Sequence, residues 1–196
     1  MQNSLNKTNQ NFLALLNDKS YIEQKRLAFQ WVLNHFESVA AEAENQLAGK
    51  IPKIFNAFKP KISKGEAHDG LPFIVLDYPA IFQKEHILAI RTIFIWGEPI
   101  QITLFMKGSF IQQFKEPLLN YTTNNDLEEY LSMADSPWKH TQEKANWQLV
   151  NPDNLKQAIQ SNQFIKLGVF CDLDELANLS TLFVSTCQRW FKDLIF

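Results

Sequence analysis

Glycine is scarce in this chain, cysteine scarcer, and long apolar runs are missing. Only six glycines occur among 196 residues, scattered singly. The sequence therefore has no glycine-rich loop to cradle phosphates, and no Gly-x-Ser-x-Gly nucleophile turn. The two cysteines, Cys171 and Cys187, lack metal-type spacing and build no disulfide framework. Each reads as a small buried hydrophobe in a reducing compartment. No apolar stretch approaches the roughly 20 residues that a bilayer crossing demands, so no membrane association is expected. Residues 1–10 are polar and Asn-rich rather than a charged start with an apolar core, and the expected location is the cytoplasm.

An excess of charge is absent as well. Lysine and arginine number 19 against 21 acidic residues, a formal net charge of −2. That balance leaves no electrostatic footprint for nucleic acid. The one basic stretch, Lys50, Lys53, Lys59, Lys61 and Lys64, is interrupted by Pro52, Pro60 and Gly65, and reads as a solvated face. What the chain does have is rings. Sixteen Phe and five Trp bury much area per residue, which implies an aromatic core and leaves some rings to line a groove or face a partner.

The patterning predicts an α+β fold, a single domain over 1–196 with 1–18 partly flexible. A short docking helix is expected over 11–17. Ser20 and Glu23 match a capping box that opens a long helix to about Ala48. Its inner face carries Phe29, Val32, Leu33, Phe36, Val39, Ala40, Ala43 and Leu47. Residues 50–70 read as irregular, with one helical turn at 54–58. Strands are predicted over 71–78, 88–96, 100–107 and 164–171, with another at 146–150. Helical turns are predicted at 127–133 and from Asp153 to Gln160. A last helix has Leu176, Leu179, Phe183, Cys187, Trp190 and Leu194 as its inner stripe. Long helices at both ends and a central antiparallel meander define the layered architecture.

The hairpin around Gly97 allows a sharper expectation. Pairing Trp96 with Ile100 sets Phe94 against Ile102, Thr92 against Leu104 and Ile90 against Met106, an apolar face turned toward the helices. The other face pairs Ile95 with Gln101, Ile93 with Thr103 and Arg91 with Phe105. Arg91 thus stands within a sheet, where an unpaired charge is costly. Asp77 on the preceding strand is the internal partner. Arg91 either pins two strands through Asp77, or serves as an anion-binding group on the floor of an aromatic-walled pocket. In the second case Tyr78, Gln101 and Thr103 add hydrogen-bond capacity.

Glu66, His68 and Asp69 precede the first expected strand, and Glu85 and His86 precede the second. In an antiparallel pair these groups fall at opposite ends, and their spacing matches no zinc pattern, so no metal is expected. His35 and His140 read as surface or boundary residues without partners. No cofactor motif is present. The segments Gly70-Leu71-Pro72-Phe73, Leu76-Asp77-Tyr78-Pro79, Ala89-Ile90-Arg91-Thr92 and Trp96-Gly97 resemble a family of conserved bacterial proteins of about this length without an assigned role. The resemblance covers residues 70–107; it implies a bacterial source and transfers no functional residues.

These readings lead to an expected function: a non-catalytic protein that binds a small anionic ligand or a protein partner near Arg91. The rival is an enzyme using His68, Asp69 or His86 at the sheet edge. A homodimer associating through its aromatic surface is a third reading.

Overall fold

In the computed structural model, the described residues are 2–55, 58–123, 127–140, 146–161 and 163–195. The chain forms two compact units, residues 1–35 and 36–196. The first contains α1 (Gln2–Asn17) and the opening of α2 (Lys19–Gln46). Here the cap is Asp18, not Ser20. Its Oδ1 accepts from the backbone N–H of Ser20 at 2.9 Å and of Tyr21 at 3.2 Å. Asp18 thus stands at the N-cap, accepting from the second and third residues of the helix, two positions before Ser20. Within this unit Phe12, Leu13, Leu15, Leu16, Ile22 and Leu27 are exposed.

The second unit holds a seven-stranded antiparallel sheet among the described residues, in the order β1-β2-β3-β4-β7-β5-β6. Its strands are β1 (Lys61–His68), β2 (Leu71–Phe82), β3 (Ile87–Ile95), β4 (Ile100–Lys107), β5 (Tyr130–Ser132), β6 (Trp147–Leu149) and β7 (Ile165–Cys171). Short helices α3 (Ser109–Gln113) and α4 (Lys115–Leu119) follow β4, α5 (Pro152–Ser161) precedes β7, and α6 (Leu179–Trp190) comes near the C-terminus. This is the α+β class with N- and C-terminal helices that the patterning predicts. The meander runs from β1 to β4, and then β7 returns to pair with β4.

Two elements correct the sequence reading. β1 lies where irregular chain was expected. It is an edge strand, mostly exposed and rich in lysine, so burial leaves no strong alternation in its sequence. β5 replaces the helical turns expected at 127–133; a three-residue strand is too short to show a period of two.

The β3–β4 register is also shifted. Arg91 pairs with Thr103, Thr92 with Ile102 and Ile93 with Gln101, each two residues from the expected partner. The turn closes one residue earlier than expected, with Glu98 N–H donating to Ile95 O at 3.0 Å and Gly97 at φ 87°. A positive φ at the third turn position requires glycine, which locks the turn there. A shift of two restores each side chain to its expected face, because side chains alternate with period two.

One face of the sheet is a continuous core. Ile74, Leu76, Leu88, Ile90, Ile102, Leu104, Leu167 and Val169 are all buried. Phe36, Val39, Ala43 and Leu47 of the α2 region are buried too, as are Leu179, Phe183, Cys187 and Trp190 of α6. Burying a large aliphatic side chain stabilises by about 1.5–3 kcal/mol, so this layer dominates the stability of the unit. Both thiols are buried within it. Burial pushes Cys171 up to about 11 and Cys187 well above its ordinary value, which leaves neither as a ready thiolate.

Candidate functional site

The opposite face of the sheet differs in kind. Lys61, Asp77, Arg91, Thr103, Gly168, Tyr130 and Leu149 are successive cross-strand partners. They form one row across the strands. Apolar clusters flank this row: Val75, Ile93 and Ile95 on one side, Ile87, Ala89 and Phe105 on the other. A polar band therefore crosses the middle of an otherwise apolar surface.

Arg91 and Asp77 meet in a two-pronged ion pair. Arg91 Nε donates to Asp77 Oδ1 at 2.7 Å and Nη2 donates to Oδ2 at 3.0 Å. Both side chains are mostly enclosed, 18% and 12% exposed. The direct cross-strand register positions them, and parallel geometry makes the pair stronger than a single contact. Among the described residues Asp77 is the only hydrogen-bond partner of the guanidinium, so the Nη1 donors are left over. Phe82 and Trp138 each place a ring 5.3 Å from Arg91 Cζ. Those rings are 44% and 48% exposed, so the free end of the guanidinium is bordered by aromatic surface that reaches solvent.

The remaining expected site residues separate. Thr103 shares the face, and its hydroxyl donates to the Arg91 carbonyl at 3.2 Å. Gln101 is buried, with its amide donating to the His140 carbonyl. Tyr78 turns away toward the helices, where burial first, then Glu44 and Cys187, raise its phenol. Asp77, Arg91, Thr103 and Gln101 thus belong to one neighbourhood and Tyr78 does not.

His68 and His86 lie at opposite ends of β2. At about 3.3 Å rise per residue that is roughly 30 Å or more. His86 Nδ1 accepts from the Ser109 backbone at 3.0 Å at the start of α3. Asp69 occupies the turn after β1 with φ 52°. His35 packs edge-on against Trp31 at 4.9 Å.

Sequence reasoning missed the other half of the band. Lys166 on β7 is 1% exposed. Its ammonium donates to the Lys139 carbonyl at 2.7 Å and to that of Pro137 at 3.3 Å, and it contacts His140 Nδ1 at 3.1 Å. These bonds draw the loop through Pro137 and His140 down onto the sheet face. Trp138 completes the cover by packing edge-on against Phe105 at 5.6 Å. Trp147 stands over Gly168, with Lys166 Nζ 5.2 Å from its ring centre. A Cβ at Gly168 would lie 2.8 Å from that ring, so only glycine leaves Trp147 its seat.

His140, read from sequence as a boundary residue without partners, is 3% exposed. Its ring lies 5.6 Å from that of His68. Burial first, then the charges of Lys166, Arg91 and His68, push its imidazole down to about 2. Burial and then Arg91 bring the Lys166 amine down to about 7. No carboxylate among the described residues pairs with Lys166. Around it, His68 Nε2, His140 Nε2, Gln101 Oε1 and Trp147 Nε1 are buried without a hydrogen-bond partner among the described residues. The one signal that could have exposed this centre is Lys166 itself, a lysine inside the run Ile165–Cys171 that otherwise reads as a fully buried strand.

A second buried polar centre lies around Glu129. Tyr121 donates to its Oε2 at 2.6 Å, while Arg189 at 2.6 Å and Trp190 Nε1 at 2.7 Å donate to Oε1. Both carboxylate oxygens therefore have donors and the charge is matched by Arg189, although Arg189 Nε is buried without a hydrogen-bond partner among the described residues. None of the described residues form a group of three or more His, Cys, Asp or Glu able to hold a metal ion. No described helix is long and apolar enough to cross a membrane. No family model, curated protein or solved structure matches the chain.

Proposed function

We propose that this protein is a non-catalytic binding protein that receives a small anion, or the anionic group of a protein partner, at the free end of Arg91. The observation that carries the reading is a charge imbalance on an aromatic-bordered surface. Asp77 is paired with Arg91 alone, and the buried Lys166, whose amine feels the Arg91 charge, has no carboxylate partner among the described residues. Asp77 occupies only two of the five guanidinium donors. An incoming carboxylate or sulfate would take the unused donors between Phe82 and Trp138, where partial desolvation strengthens a charge-assisted bond. The resemblance over residues 70–107 supports a bacterial source, and the absence of a described membrane-crossing helix is compatible with the cytoplasm.

Thermal unfolding in sodium acetate and in sodium sulfate, against sodium chloride at matched ionic strength, tests the reading. Binding to the folded state raises Tm with concentration, by several degrees at about one hundred times Kd. The double variant Asp77→Ala/Arg91→Ala removes both members of the pair together and strands neither charge. Its Tm should differ between the salts only by the general stabilisation that excluded anions give any folded protein, without the added rise of the wild type. A wild-type rise no larger than that of the double variant would sink the proposal.

A further inference from the structure

Resting on the anion reading above, we infer that the anion arrives together with a proton, taken up by Lys166. The geometry behind this is the company that Lys166 keeps. Its hydrogen-bond partners, two carbonyls and His140 Nδ1, accept equally well from an ammonium or, with the imidazole proton moved, surround a neutral amine. The pocket of bonds therefore tolerates both protonation states. What discriminates between them is the surrounding charge.

The groups facing Lys166 come from every neighbouring element. Arg91 is on β3 and its partner Asp77 on β2. His68 closes β1, next to His140 of the covering loop. Lys139 of that loop is paired outward with Asp135, and Tyr130 on β5 is held by Glu128. β4 contributes Gln101, Thr103 and Phe105, and β6 contributes Trp147, all uncharged.

Arg91 is the nearby cation that disfavours the ammonium, and burial acts in the same direction. An anion at the free end of Arg91 offsets that guanidinium's field and adds attraction of its own. Both effects favour the protonated amine. By linkage, the ammonium favours the anion to the same degree. A free amine that titrates near 7 makes this exchange visible at neutral and mildly alkaline pH.

The experiment measures the affinity of the intact protein for acetate, fully ionised throughout, from pH 6 to pH 9. A second measurement counts protons taken up when acetate is added to unbuffered protein at pH 8. The wild-type protein should lose affinity above neutrality, by up to tenfold per pH unit, and take up a measurable fraction of a proton per site. Lys166→Arg keeps a cation that does not titrate, and Lys166→Met removes it. Both should bind with affinity independent of pH, the methionine variant more weakly. Binding with no proton uptake, or with the same slope in Lys166→Arg, overturns the linkage and leaves the anion site standing. Absence of acetate binding at every pH defeats both.

Discussion

Two buried polar centres sit about this sheet, and they are built on opposite plans. At Glu129 a single carboxylate is met by three donors, one of them the Arg189 guanidinium. At Lys166 a single amine is met by neutral acceptors and by a neighbouring guanidinium. The first is electrically closed. Among the described residues, the second is short of negative charge. A buried ion whose partners answer both its charge and its hydrogen bonds acts as a structural pin. One that has only its hydrogen bonds answered stays responsive to protons and anions.

Breaking the closed centre should have the largest effect. Glu129→Ala leaves Arg189 enclosed and removes the acceptor shared by Trp190 and Tyr121. The expected loss is about 3–5 kcal/mol, the usual range for removing one member of a buried ion pair, read by urea unfolding. A loss under about 1 kcal/mol would show that the two centres do not differ as described.

A smaller effect is expected at the covered face. Gly168→Ala pushes a methyl group into Trp147, whose Cζ3 lies 2.8 Å from the new Cβ position. Overpacking of this kind costs about 1–3 kcal/mol. Because Trp147 also stands over Lys166, its fluorescence should shift toward the red as the ring gains water. An unchanged spectrum would mean that the ring does not depend on this glycine.

A third test is the pH dependence of stability. Lys166 titrates near 7 when folded and near 10.5 otherwise. The unfolded chain then binds more protons between those values, so this residue makes stability rise as pH rises from 7 toward 10.5. His140 is pushed down to about 2 from 6.5. Its contribution is complete above 6.5 and is lost as pH falls toward 2. Stability of Lys166→Arg should lack the alkaline rise while retaining the acid loss. An alkaline rise of the same size in that variant would assign it to another group.

Much of the apolar core face was legible beforehand. Alternating Ile, Leu and Val mark β2 to β4, and the stripe from Leu176 to Leu194 marks the last helix, because deep burial writes its periodicity directly into residue type. Arg91 announced itself by being a cation in such a run, and its partner Asp77 followed from strand adjacency alone. Lys166, in an equally apolar strand, passed unnoticed because no carboxylate in the neighbouring strands answers it. Its partners are backbone carbonyls 27 and 29 residues away, and a carbonyl leaves no mark in the sequence.

The chain's own chemistry decided the layers, the helix and strand types and the side of the sheet on which each side chain lies, since these depend on local periodicity and on the exclusion of apolar surface from water. Tertiary structure alone decided the strand order beyond β4 and the loop that brings His140 beside Lys166 and Trp138 beside Arg91. Those features arise where distant segments meet, and the electrostatic character of the site is the sum over groups that only the fold brings within reach of one another.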